Sequence, residues 1–170
     1  MVLDSLREAS KEEKLLYLIS STSTNGVLKG RKKLTKLAFF AEYWLPNEEM
    51  LNPNEQFGGF NFIIYKFGPF SKDLFREFDE LKDDGLVEET RRPRGNSIIE
   101  LTKKGETQAE KIKSKLDREE RCQIEAVSEE FGDKSGHVLE EKSLNCLGIE
   151  KSEKDDYMGM PVSVIISEDS

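Results

Sequence analysis

An α+β fold, mainly α, is what this sequence predicts, and three observations predict it. First, Phe60-Asn61-Phe62-Ile63-Ile64-Tyr65-Lys66 is aromatic and β-branched, which suits a strand buried on at least one face. Second, Leu74, Phe75, Phe78 and Leu81 recur at helical spacing after the stop Gly68-Pro69, with Ser71 placed as the N-cap. Third, the period returns to two on either side of a basic turn, in Leu86-Val87-Glu88-Glu89-Thr90 and Ser97-Ile98-Ile99-Glu100-Leu101. Seven of the ten Phe lie between Phe57 and Phe78, so the core is expected there.

The remaining elements are taken in chain order. Lys11 to Ser21, with Leu15, Leu16, Leu18 and Ile19, predicts a helix that begins near Ser10 or already near Asp4. Thr22 to Gly26 is a loop. Gly30 to Leu45 predicts a second helix, with Leu34, Leu37, Ala38, Ala41 and Leu45 on one face and Pro46 ending it. Asn47 to Gln56 reads as an acidic loop. Gly85 and Leu86 suit a Schellman-type end to the helix Ser71–Asp84. Thr102 is placed to cap the next helix. Glu106 to Phe131 is charged and helix-prone, and as one helix it would span about 39 Å. Its thin apolar face (Ile112, Leu116, Ile124, Val127) needs a partner: the helix expected at Ser135–Leu147, the first helix, or a second copy of the chain. Ser152 to Asp156 reads as a polar linker and Val162 to Ile166 as a terminal strand.

Helix, helix, strand, helix, strand, basic turn, strand, helix is the order of a winged helix-turn-helix domain, with Phe60–Tyr65 expected in the same sheet as the wing strands. The expected division is residues 1–105 for that domain and 106–170 for an acidic helical C-terminal extension ending in a short strand or tail. Charge follows the same division. Residues 1–105 hold 17 Lys+Arg and 17 Asp+Glu, whereas residues 106–170 hold 9 and 17, so the net charge of -8 lies wholly in the second part. The acidic total therefore does not exclude nucleic acid for the first part.

At 170 residues a hydrophobic core suffices without disulfide or metal. Cys122 and Cys146, without C-x-x-C spacing, read as two reduced thiols. No apolar run approaches the ~20 residues that cross a bilayer. The N-terminus lacks a basic start before an apolar run, so a cytoplasmic protein without a membrane partner is expected.

The sequence Gly30-Arg31-Lys32-Lys33-Leu34-Thr35-Lys36-Leu37 is followed by Tyr65-Lys66-Phe67-Gly68-Pro69-Phe70-Ser71-Lys72-Asp73-Leu74 and by Leu81-x-x-x-Gly85-Leu86-Val87. This set resembles the YwgA-like proteins of archaea and bacteria. It is similar more broadly to the SocA-like Panacea domain of antitoxins and proteolysis adaptors. The resemblance covers about residues 11–150. Leu101-Thr102-x-x-Gly105 is shared by many winged-helix proteins. The Panacea likeness implies a protein partner, a toxin or a regulated target.

Two basic patches carry the leading functional expectation, double-stranded DNA binding in transcriptional control. Lys29, Arg31, Lys32, Lys33 and Lys36 gather near a helix start, where the helix dipole disfavours cations, and Arg91, Arg92 and Arg94 crown the wing with Gly95. Each patch also reads as an ordinary solvated surface. The helix Ser71–Asp84, which would enter the groove, counts against DNA. Its Lys72, Arg76 and Lys82 face Asp73, Glu77, Asp79, Glu80, Asp83 and Asp84, so only Lys72 and Arg76 at its start would lead. The alternative is a protein-binding adaptor or antitoxin without DNA binding. A homodimer through the long terminal helix is a further expectation, since two-fold symmetry would present two wings. No enzyme and no cofactor are expected: His137 stands without a nucleophile pattern, and no phosphate loop or metal-ligand spacing occurs.

Overall fold

The computed structural model describes residues 8–46, 50–54 and 56–168. It is α+β and mainly α. Helices α1 (Lys11–Thr22) and α2 (Arg31–Tyr43) flank strand β1 (Val27–Lys29). Two short hairpins come next, β2 (Trp44–Leu45) with β3 (Met50–Leu51) and β4 (Ile63–Tyr65) with β5 (Gly68–Phe70). Helix α3 (Lys72–Asp83) leads into β6 (Val87–Thr90) and β7 (Ile98–Leu101), then α4 (Lys103–Lys113), α5 (Arg118–Phe131) and α6 (Gly136–Cys146). A 3-10 turn (Lys151–Tyr157) and α7 (Val162–Glu168) close the described chain.

The main sheet runs β1-β7-β6, antiparallel throughout, with Leu28 opposite Ile99 and Val87 opposite Leu101. α1, α2, α3, β6 and β7 thus come in the order that the sequence predicts, and β1 is a strand that the sequence reading does not predict. The link between α2 and α3 is what differs. Residues 44–71, 28 in all, separate the two helices, where a helix-turn-helix has a turn of about three or four residues.

Local chemistry explains the ends of these elements. Ser71 Oγ accepts from Leu74 N at 3.1 Å and donates to the carbonyl of Phe60, tying the start of α3 to the chain before β4. At the other end Leu86 N donates to Leu81 O and Gly85 N to Lys82 O, both at 3.0 Å, with Gly85 at φ +74°, which is a Schellman cap. Thr102 Oγ1 accepts from Gly105 N at 2.9 Å and donates to Gly85 O at 2.7 Å. Gly105 is there because a Cβ would lie 2.0 Å from Leu86 O.

Several expectations are corrected. The strand around Ile63 does not join the wing sheet. Tyr65 pairs with Gly68, which leaves Lys66 and Phe67 as a two-residue loop, and so short a loop makes β5 the partner. The other edge of β4 is taken by the chain's end: Ile64 N donates to Met160 O, and Val162 N to Phe62 O. Residues 106–131 are two helices, because Asp117 caps α5 in a capping box with Glu120. Val162–Ile166 is helix, its buried Val162, Ile165 and Ile166 following a spacing of three and four. Residues 151–157 form the 3-10 turn where the sequence predicts a linker. Trp44 and Leu45 leave α2 and pair with β3, inside the stretch that the sequence predicts as helix and loop. A start near Asp4 and part of the loop Asn47–Gln56 lie outside the described residues.

α2 is the central helix, buried from Leu34 through Tyr43. Around it the buried residues form one cluster that runs from Ala9 to Ile166 and takes in Ile112, Leu116, Ile124 and Val127. The thin face of the predicted extension therefore packs on α1 and α2 of its own chain. Phe131 stacks on Phe40 with ring centroids 4.0 Å apart, and Gln123 Nε2 donates to Trp44 O at 2.7 Å, meeting the carbonyls at the end of α2.

Glu42, wholly buried on α2, holds a stretch of backbone in the core. Its Oε1 accepts from Phe57 N and Gly58 N, both at 2.6 Å, and its Oε2 from Phe60 N at 2.8 Å. Replacing Glu42 by Ala strands these buried N–H groups, so urea unfolding should show a loss of about 3 kcal/mol or more. Glu42→Gln, which keeps the volume but turns an NH2 towards the donors, is expected to lose nearly as much.

Candidate functional site

The basic start of α2 is turned into the protein, not out of it. Arg31 Nε and Nη2 donate to the two carboxylate oxygens of Glu89 on β6, each at 2.8 Å, and Nη2 reaches Asp79 at 3.2 Å. The guanidinium lies over the rings of Phe75 and Phe78, at 5.1 and 5.0 Å. Glu89 also accepts from Lys82 at 3.0 Å and from Ser97 at 2.9 Å. The hydrogen bonds from Arg31 lead in holding the Glu89 carboxyl down to about 2, against the opposing effect of burial. The same bonds raise Arg31.

Lys32 Nζ sits 2.6 Å from Glu140 on α6, and 4.8 Å from the centre of the Phe67 ring. Lys33 donates to Gly132 O at 2.6 Å, and burial lowers its pKa. Lys36 is only 2% exposed and donates to Pro69 O at 2.7 Å. Burial depresses its pKa to about 7, opposed by Glu140 and reinforced by Lys32 and Lys154. Of the five cations that form one patch in the sequence, Lys29 alone is exposed. The carboxylates and carbonyls that hold the others come from 33 to 108 residues further along the chain.

The wing is as expected an exposed turn. Arg91, Arg92 and Arg94 are all exposed, and Arg92 Nε donates to Asn96 O at 2.8 Å, closing the tip. Arg91 and Arg92 line a cleft of about 320 Å³ with Arg31 and Glu89. Lys72 and Arg76 are exposed at the start of α3, Arg76 beside Asp73 at 3.5 Å. The rest of α3 shows acid to solvent, through Asp79, Glu80, Asp83 and Asp84. Glu12 of α1 joins this group. Its burial, then a hydrogen bond with Asp84 and the charges of Asp84, Glu77 and Glu80, push it up to about 7. Among the described residues, no continuous cationic face adjoins the helix that would meet a DNA groove.

The β4–β5 hairpin carries a surface that sequence reasoning missed. Tyr65 and Phe67 are 43% and 59% exposed, although the sequence places the aromatic run in the core. They edge a pocket of about 310 Å³ walled by Phe70 and Phe75 and by Lys32, Thr35 and Lys36 of α2. Tyr65 packs 5.4 Å from Phe70, and Phe70 5.1 Å from Phe75, so the rings form one continuous wall. The signal was present in Tyr65-Lys66-Phe67-Gly68-Pro69: aromatics at the tip of a two-residue hairpin have little protein within reach to bury them. A wider hollow of about 700 Å³ beside Gln123 and Cys122 is edged by Asp117, Glu119 and Glu120 and has no aromatic wall. His137 is exposed, 3.3 Å from Glu141. Among the described residues, no group of His, Cys, Asp and Glu is placed to hold a metal ion, and no helix is long and apolar enough to cross a membrane.

Fold and surface together define a helix-rich α+β protein with a three-stranded sheet and an aromatic pocket on an inserted hairpin. A family model described as antitoxin SocA-like, Panacea domain, matches residues 34–146, more than half of the chain, and the chain belongs to that family. The match begins inside α2 and ends with α6, so it spans both the hairpin and the wing. No curated protein matches the chain, and no solved structure does.

Two of these charges make stability rise with pH, Lys36 in an alkaline window and Glu89 in an acid one. The folded-state pKa of Lys36 lies near 7 against an ordinary 10.5, so the unfolded chain binds the extra proton between those values. Stability should rise with pH across that window, and Lys36→Met should remove this part of the rise; thermal melts of both proteins at several pH values measure it. The contribution of Glu89 is present above the ordinary carboxylate value of 4.5 and is lost as pH falls through about 2. Glu89→Gln should cost about 3 kcal/mol at neutral pH in urea unfolding, because it leaves Arg31 without its buried partner.

Proposed function

We propose that this chain is a protein-binding module of the antitoxin or adaptor kind, acting through the hairpin pocket, and neither an enzyme nor a DNA-binding regulator. One observation carries the reading: Tyr65 and Phe67 stand exposed at an apolar pocket, while Arg31, Lys32 and Lys33 are engaged within the chain and Lys36 is buried. Exposed aromatics edging a concave apolar site are the usual anchors of a protein interface, and phosphate binding needs free cations. Membership of a family described by its antitoxin supports the same reading. The toxin or target that such a protein holds would be its partner.

The DNA reading retains the exposed Lys29, Lys72, Arg76, Arg91, Arg92 and Arg94. A homodimer loses its motive, since the apolar faces of α4 and α5 are covered within the chain.

The two readings separate by variant. Partner capture from the native host should fall at least about tenfold for Tyr65→Ser with Phe67→Ser, the scale of losing an interface hot spot. It should be unchanged for Arg91→Ala, Arg92→Ala and Arg94→Ala combined. A gel shift of random duplex DNA at ~50 mM salt, lost in the arginine variant and kept in the aromatic one, would reverse the assignment.

A further inference from the structure

The pocket has a feature that a plain apolar groove lacks. Lys36 lines it, and the ammonium is held at Pro69 O, between Gly68 and Phe70, both of which also line the pocket. An ammonium carries three donors. Lys36 Nζ has one hydrogen bond, to a neutral carbonyl, and no carboxylate within ion-pair distance among the described residues. Glu140, whose charge bears on Lys36, is already paired with Lys32 at 2.6 Å. Three cations, Lys32, Lys36 and Lys154, thus bear on this spot against one carboxylate. A buried cation without a paired anion is costly, and most buried charges are matched. An anion brought into the pocket would pair with this ammonium and hold its proton.

We propose that the pocket takes the free C-terminal residue of the partner protein, a large apolar residue whose α-carboxylate meets Lys36. This rests on the protein-binding reading of the same pocket and names what it recognises. The volume of about 310 Å³ holds one large side chain, not several. Anion and apolar group must therefore arrive on a single residue. A C-terminal Phe or Leu meets that demand, with carboxylate and side chain on the same Cα. An internal Asp or Glu does not, because its neighbour would have to supply the apolar part. The rings of Phe67, Phe70 and Phe75 take the side chain, and Tyr65 flanks the entering backbone.

The test uses the full chain and short labelled peptides ending in Phe, one as the free acid and one as the C-terminal amide, read by fluorescence anisotropy. The acid should bind about tenfold or more tighter than the amide, the scale of one hydrogen bond to a charged group. That preference should vanish in Lys36→Met, and Phe67→Ser should weaken both peptides. In the wild type, affinity for the acid should fall between about pH 6 and about pH 8.5 by about the same factor that separates acid from amide, as Lys36 loses the proton that the charged contact needs. The groups facing that amine are Lys32 on α2, Glu140 on α6 and Lys154 on the 3-10 turn. N-acetylphenylalanine serves as a third probe: tighter binding of this small acid than of the peptide acid would assign the site to a free metabolite and overturn the C-terminus. Equal binding of acid and amide, or a flat pH profile, overturns the proposal even if Lys36→Met fails to fold. Should neither peptide bind while partner capture still depends on Tyr65 and Phe67, the C-terminal assignment falls and the protein-binding reading stands. Capture that ignores the aromatic variants overturns both.

Discussion

The carboxylate of Glu42 is the constraint on which the hairpin surface depends. Residues 57–60 must cross the end of α2 with their backbone buried, and a buried loop has N–H groups with no strand or helix to receive them. Glu42 accepts from three of these N–H groups. With the backbone held there, Phe57, Phe60 and Phe62 enter the core, and the chain leaves for β4 in a fixed direction. The Ser71 hydroxyl, bonded to Phe60 O, then ties the far side of the hairpin to the start of α3. The pocket walls inherit their positions from these two polar contacts.

Charge is used in the same way one turn after another along α2. A helix N-terminus disfavours cations, yet Arg31, Lys32 and Lys33 stand there. Each is drawn to an acceptor that the fold delivers: Glu89 from the sheet, Glu140 from α6, and the carbonyl of Gly132 just past the end of α5. These contacts act between elements far apart in the chain, so they fix how the C-terminal helices lie on α2. Lys36 departs from the pattern, because it is buried with a carbonyl and no acid of its own. An imbalance kept beside an open apolar pocket is the mark of a recognition site more than of a stabilising one.

Antitoxin-like function fits this division of labour. A protein that neutralises or delivers another needs a rigid platform and one adaptable contact face. On the proposed reading the platform would be the buried helix α2 with α5 and α6 packed on it, and the contact face the two-residue hairpin with its exposed rings. The exposed acid of α3, in Asp79, Glu80 and Asp83, makes that part of the surface unfavourable to a phosphate backbone.

What the sequence by itself determined is everything that rests on neighbours a few residues apart. The caps at Ser71 and Thr102, the Schellman end at Gly85, the wing strands and the strand at Ile63 are written in local periodicity and turn chemistry. Even two of the corrected elements were legible: Asp117-x-x-Glu120 spells a capping box, and Val162, Ile165 and Ile166 recur at helical spacing. The tertiary structure alone decided which charges stay free and which aromatics stay exposed. Arg31 and Glu89 are 58 residues apart, Lys32 and Glu140 108, and Glu42 meets its donors across 15 to 18. A row of lysines looks the same in one dimension whether water or a carboxylate surrounds it. Only packing decides between them, because the cost of burying a charge is set by what the rest of the chain brings within about 3 Å of it.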